Sequence, residues 1–78
     1  MEYTPLAIEN LRALPKTVAG QIVRKISRLE NGLTGNIKKL RQADFGFRLR
    51  MGDYSILFDV EDDTIVIQKI GHRKDVYE

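Results

Sequence analysis

The sequence predicts an α+β fold in two layers, an N-terminal helical hairpin packed on a small antiparallel sheet, with residues 1–78 forming one domain. Three observations predict it. Apolar residues recur at helical spacing as far as Leu29, the period changes to two from Gly46, and 78 residues supply only one simple core.

The first helix opens on Thr4 as N-cap and Pro5 as first helical residue, where a missing N–H costs nothing. Ala7, Ile8, Leu11 and Leu14 mark its apolar stripe. Pro15 interrupts it and opens a second helix, in which Val18, Ile22, Ile26 and Leu29 share one face while Lys16, Gln21, Arg24, Lys25 and Arg28 supply the polar surface. Asn31-Gly32 is a stop, since both residues tolerate the left-handed conformation. Leu33 to Asp44 reads as a loop. After Gly46, Phe47, Leu49 and Met51 point one way, and Arg48 and Arg50 the other. Gly52-Asp53 supplies a two-residue hairpin turn, which sets Met51 opposite Tyr54, Arg50 opposite Ser55 and Arg48 opposite Leu57. Tyr54, Ile56, Phe58 and Val60 continue the apolar face on the returning strand. Glu61-Asp62-Asp63 makes the next turn, and Thr64 to Ile70 forms a third strand whose continuous apolar run predicts a central position, ended by Gly71. The helices then cover the apolar face, and the face carrying Arg48 and Arg50 is expected to be open.

Composition narrows the chemistry. With 42% hydrophobic and 31% charged residues, the chain lies well outside the range of disordered sequences. It has no cysteine, which rules out disulfides, a thiolate metal site and a cysteine nucleophile. A single histidine, and carboxylates gathered in a turn without ligand spacing, argue against a catalytic metal; neither metal nor cofactor is expected. No glycine-rich phosphate loop precedes a helix, and neither Ser27 nor Ser55 forms a recognisable motif with His72. No apolar run approaches the length of a membrane span, and Met1 to Pro5 lacks the parts of a signal peptide, so the cytoplasm is the expected location.

Charge is segregated along the chain. Lys38 to Arg50 holds five cations (Lys38, Lys39, Arg41, Arg48, Arg50) and one anion, a balance of +4, whereas Met51 to Asp63 holds five acids and no base, a balance of −5. Such polarity suits a basic face for a polyanion, and suits a solvated surface as well. Arg48 and Arg50, on alternate positions of one strand, put their guanidinium groups on the same side. Either they point into water or pair with acids on a neighbouring strand, or they form a phosphate site, to which the forked guanidinium is suited. Lys38, Lys39 and Arg41 would extend a polyanion track. Tyr77 either buries its ring at the sheet edge or stacks on a base. His72 reads as a surface or turn residue, although imidazole also suits proton transfer.

Lys39-Leu40-Arg41, then Phe47-Arg48-Leu49-Arg50-Met51-Gly52-Asp53-Tyr54, then Ile70-Gly71-His72-Arg73 and Val76-Tyr77 resemble the RelE/ParE toxin superfamily in order and spacing. The likeness begins at Tyr3-Thr4-Pro5, which resembles the end of that family's first strand, and so covers nearly the whole chain. The Gly-His-Arg and Val-Tyr ending looks more like the RNA-cleaving RelE branch than the gyrase-poisoning ParE branch. The resemblance implies a toxin of a type II toxin–antitoxin system, partnered by a cognate antitoxin, that cleaves messenger RNA in the ribosomal A site without a metal. It implies catalytic roles for Arg48, Arg50, Arg73 and Tyr77, with Lys38, Lys39, Arg41 and His72 as RNA contacts. Arginine is a poor general base, so Arg48 and Arg50 are read as electrostatic groups. Arg73 matches an arginine that stabilises the transition state, and Tyr77 a tyrosine that stacks on the substrate base. A dimer, or a heterotetramer with the antitoxin, is compatible with this reading.

Two features depart from the family pattern. Ser55 stands where many active members carry an arginine, which keeps open a catalytically silent, antitoxin-binding relative; inhibition of DNA gyrase in the ParE manner is the other alternative. Met1 to Thr4 leave only a short first strand, and hence a poorly covered sheet edge that an antitoxin strand or a second copy would complete.

Overall fold

The computed structural model describes residues 1–32, 37–40 and 46–72. The elements run β1 (Glu2–Tyr3), α1 (Pro5–Arg12), α2 (Lys16–Ser27), a 3-10 turn over Arg28–Asn31, β2 (Ile37–Lys39), β3 (Phe47–Met51), β4 (Tyr54–Glu61) and β5 (Thr64–His72). They form one five-stranded sheet in the order β1-β5-β4-β3-β2 with the helices against one face. The two-layer α+β class is as expected. The sheet, however, is mixed rather than purely antiparallel, because β1 precedes the helical hairpin and pairs parallel with β5. Residues 37–39, read as loop, are a strand: Ile37, Lys38 and Lys39 pair with Leu49, Arg48 and Phe47. Leu40 follows, its amide donating to the Gly46 carbonyl at 2.8 Å, while residues 33–36 and 41–44 of that expected loop, and the tail from Arg73, lie outside the described residues.

Local chemistry explains where the helices begin and stop. Thr4 adopts an extended conformation (φ −69°, ψ 159°), and its Oγ1 accepts a hydrogen bond from the Ala7 amide at 3.1 Å, satisfying one orphan donor of the first turn. The same hydroxyl donates to the Gln68 carbonyl at 3.0 Å, so the cap also anchors α1 to β5. Along α1 the inward stripe is Ala7 and Leu11, with Leu14 packing on the core just past the helix end; Ile8, expected on it, is 40% exposed. Asn10 takes the inner position instead, and its Oδ1 accepts from the Ile70 amide at 2.9 Å. A helix gives each stripe about a third of its circumference, and this one spends a position on a polar tie to the sheet. Along α2 the predicted stripe holds, with Ile22 and Ile26 buried and Val18 packed beside them, and Leu29 continues it from the 3-10 turn that follows.

The β3–β4 hairpin follows the predicted register: Met51 faces Tyr54, Arg50 faces Ser55, Arg48 faces Leu57 and Phe47 faces Phe58. Gly52 takes φ +57° in the turn, where glycine avoids the steric cost of a Cβ. Phe47 and Phe58 stack with ring centroids 5.3 Å apart. Phe58, fully buried, belongs to a core that also holds Ile22, Ile26, Leu49, Ile56 and Ile67. A phenyl group in such a place is worth on the order of 3–5 kcal/mol relative to alanine.

Strand β5 carries an irregularity that the periodicity alone does not locate. The pairs Leu57↔Lys69 and Phe58↔Ile67 leave Gln68 as an extra residue, a β-bulge. Its effect is to reverse the alternation: Ile67 and Ile70, three apart, are both buried toward the helices, and Lys69 and Gly71 turn to the opposite face. β5 is not ended by Gly71 but continues to His72. It lies between β4 and β1, although β1 pairs with it only at Val66 and Ile67. Beyond β1, its open edge is served by the Thr4 hydroxyl and the Asn10 amide oxygen.

Candidate nucleic-acid interface

The sheet face away from the helices is built in cross-strand rows, because directly paired residues project to the same side. One row runs Lys38, Arg48, Leu57, Lys69 across β2, β3, β4 and β5. The next, toward the hairpin turn, runs Arg50, Ser55, Gly71. Adjacent strands lie about 4.8 Å apart and alternate residues of one strand about 6.7 Å apart, so these cations crowd one small area. The row on the other side of Leu57 carries acid instead: Asp59 pairs with Val66, which pairs with Glu2.

This face is not open as expected. Ser55 is 0% and Leu57 2% exposed, and Arg48 and Arg50 are half-buried. The Arg48 Nε is enclosed, whereas the Arg50 Nε donates a long, 3.4 Å bond to the Gly52 carbonyl at the hairpin turn. Long cationic side chains generally lay their methylene stems along apolar surface and keep their heads in water, which is why an apolar residue such as Leu57 is tolerated between Arg48 and Lys69. The Ser55 Oγ has no hydrogen-bond partner, an uncompensated polar atom in the middle of the basic rows.

Asp59, in that acidic row, has both oxygens engaged. Oδ1 accepts from the Gly46 amide at 2.6 Å and Oδ2 from the Gln68 Nε2 at 3.2 Å, so the carboxylate ties the start of β3 to the bulge of β5. A side chain at Gly46 would bring its Cβ to 3.1 Å from Oδ1, which accounts for glycine there.

The structure gathers some predicted site residues and separates others. Lys38, Arg48 and Arg50 share the outer face. Lys39 pairs with Phe47 and His72 with Tyr54, so both stand on the helix side of the sheet, at opposite margins. The His72 and Tyr54 rings meet edge to face with centroids 6.1 Å apart. Arg41, Arg73 and Tyr77 lie outside the described residues. Lys69 was missed as a site candidate because strict alternation from Ile65 and Ile67 assigns it to the core; the three-residue gap between Ile67 and Ile70 was the signal of the bulge. Two clefts lie away from the cationic rows. One of about 430 Å³ is lined by Leu29, Glu30, Val60 and Ile65; the other, of about 420 Å³, lies between α2 and the hairpin tip and is lined by Val18, Gln21, Met51 and Tyr54. Among the described residues no group of three His, Asp or Glu side chains is placed to hold a metal, and no helix is long and apolar enough to cross a membrane.

Comparison with known proteins agrees with this architecture. The family model for the ParE toxin of type II toxin–antitoxin systems, parDE, matches residues 1–77. Toxin RelE3 of Methanocaldococcus jannaschii is 29% identical over 76 residues, covering 91% of this chain and 86% of its own length. The crystal structure of a RelB–RelE antitoxin–toxin complex from Methanococcus jannaschii superposes with a TM-score of 0.81 at 28% identity, over 99% of this chain and 95% of that one. The RelBE2 toxin–antitoxin complex from Mycobacterium tuberculosis gives a TM-score of 0.78 at 28% identity, over 95% and 90% of the respective chains. A family match over almost every residue, on a sheet whose outer face carries the cationic rows, shows that the chain belongs to the ParE toxin family of type II toxin–antitoxin systems, within the RelE/ParE superfamily.

Proposed function

We propose that this toxin binds messenger RNA across its cationic sheet face in the ribosomal A site and cleaves it without a metal, and that a cognate antitoxin blocks that face. The observation that carries this reading is the pairing of Lys38 with Arg48, with Arg50 two residues on, all on one side of a rigid sheet. Cations set directly opposite one another on a sheet suit the closely spaced charges of a polyanion backbone. The likeness to a RelE toxin solved with its RelB antitoxin supports the antitoxin partner.

The chemistry asked of the protein is modest. The RNA's 2′-hydroxyl attacks the adjacent phosphate, forming a new P–O2′ bond and breaking P–O5′; the 2′-oxygen loses a proton and the 5′-oxygen gains one. Arg48 and Arg50 hold the backbone in line and offset charge on the five-coordinate phosphorus, work that preorganised donors do well. Arg73 takes the main transition-state charge, and Tyr77 stacks on the substrate base and assists proton transfer. Lys39 and His72, on the far side of the sheet, meet only RNA that passes round its margins.

Translating extracts supplied with the purified toxin test this. The expected result is codon-positioned cleavage, reduced about a hundredfold or more in Arg73→Ala by analogy with loss of a single oxyanion donor. Intact message at high toxin concentration, with the fold verified, overturns the enzyme reading. The family model's ParE description favours one second reading, inhibition of DNA gyrase. A supercoiling assay separates them, since an RNA-cleaving toxin leaves supercoiling unchanged.

A further inference from the structure

The bulge in β5 brings a cation to the outer face that neither periodicity nor motif assigns. Without the extra residue at Gln68, the alternation set by Ile65 and Ile67 would carry Lys69 into the helix-side core and Ile70 outward. With it, Lys69 stands across Leu57 from Arg48 and diagonal to Ser55, whose ladder partner on β5 is Gly71. The row therefore has cations at Lys38, Arg48 and Lys69 around one buried leucine, and the flanking row offers only small residues, Ser55 and Gly71, on β4 and β5. Three of the four positions of the row through Leu57 thus carry cations, which a polyanion crossing the sheet would meet together.

We propose that Lys69 is an RNA phosphate contact, and that it supplies from β5 the positive charge that Ser55 cannot supply from β4. This rests on the RNA-binding reading above. A lysine ammonium is a mobile point charge rather than a rigid fork, so Lys69 contributes backbone attraction without fixing the phosphate's orientation.

The test uses binding of a single-stranded 2′-O-methyl RNA oligonucleotide, which cannot be cleaved by 2′-hydroxyl attack, measured by fluorescence anisotropy between 50 and 200 mM salt. Lys69→Gln is expected to weaken binding and to lower the slope of log K against log salt by about 0.7, the value of one single-strand phosphate contact. The wild-type advantage then shrinks about 2.6-fold across that range. Lys69→Arg is expected to restore affinity and slope, whereas Lys16→Gln, which removes a cation from the helical layer, is expected to change neither. Thermal unfolding of each variant separates loss of fold from loss of contact. If wild type binds and Lys69→Gln keeps the full slope, or if Lys16→Gln reduces it equally, the role of Lys69 is overturned while RNA binding stands. If wild type does not bind the oligonucleotide at all, the RNA reading fails together with it.

Discussion

Replacing Ser55 by alanine is expected to stabilise this protein, although the serine sits at the centre of its candidate interface. The side chain is 0% exposed, and its Oγ has no hydrogen-bond partner. Burying a hydroxyl without a partner costs about 1–3 kcal/mol, which alanine recovers. Against that stands the loss of one oxygen's dispersion contacts at about 0.1–0.2 kcal/mol each, a deficit well below 1 kcal/mol for a handful of neighbours. The net gain is therefore about 1 kcal/mol, or a rise in Tm of roughly 4–8 °C for a domain of this size. Urea and thermal unfolding measure it directly. A loss of 0.5 kcal/mol or more would refute the reasoning, because it would mean that the hydroxyl is engaged in the folded protein. The same burial bears on Ser55→Arg, the change that would restore the family's usual arginine. A guanidinium forced into a filled site overpacks it at a cost of about 1–3 kcal/mol, so gain of toxicity in that variant is interpretable only after its fold is checked.

Asn10→Ala leaves the Ile70 amide without its acceptor and is expected to destabilise by about 1–2 kcal/mol, with faster hydrogen exchange at Ile70. Asn10→Asp, which keeps an acceptor, should lose less; unchanged exchange in the alanine variant would show that β5 finds another partner. Tyr3 predicts an alkaline dependence. Burial, and secondarily the Glu30 carboxylate, raise its phenol above the ordinary value of 10.0. The unfolded chain therefore gives up this proton first, so the stabilising contribution is intact below pH 10 and is lost as pH rises through the folded-state value. Tyr3→Phe should show a shallower fall in stability above pH 10, and Glu30→Gln should lower the Tyr3 titration midpoint read from phenolate absorbance.

Much of the fold was legible because it is encoded locally. Thr4-Pro5 marks a helix start through the capping hydroxyl and a proline that loses nothing there, and Gly52-Asp53 sets a two-residue turn. That turn fixes which residues of β3 and β4 oppose each other, so the pairs Arg50↔Ser55 and Arg48↔Leu57 could be read before any coordinates. The helix-side core of α2 followed equally from its period. What escaped were features owed to distant partners. A three-residue strand at Ile37–Lys39 is held only by its pairing with β3 and has no periodicity of its own. Asn10 lies outside the apolar pattern, and its partner, the Ile70 amide, is 60 residues away.

The sequence by itself determined the layer order, the hairpin register and the presence of two arginines on one side of a strand, because alternation and turn chemistry act between near neighbours. Only the tertiary structure decided that Ser55 is buried, that Lys39 and His72 face the helices' side, and that Lys69 joins the arginines. The physical reason is that a single extra residue at Gln68 reverses the side chains after it, Lys69 and His72 among them, while Lys39 takes its face from pairing with Phe47 and Ser55 its burial from the packing of the whole sheet.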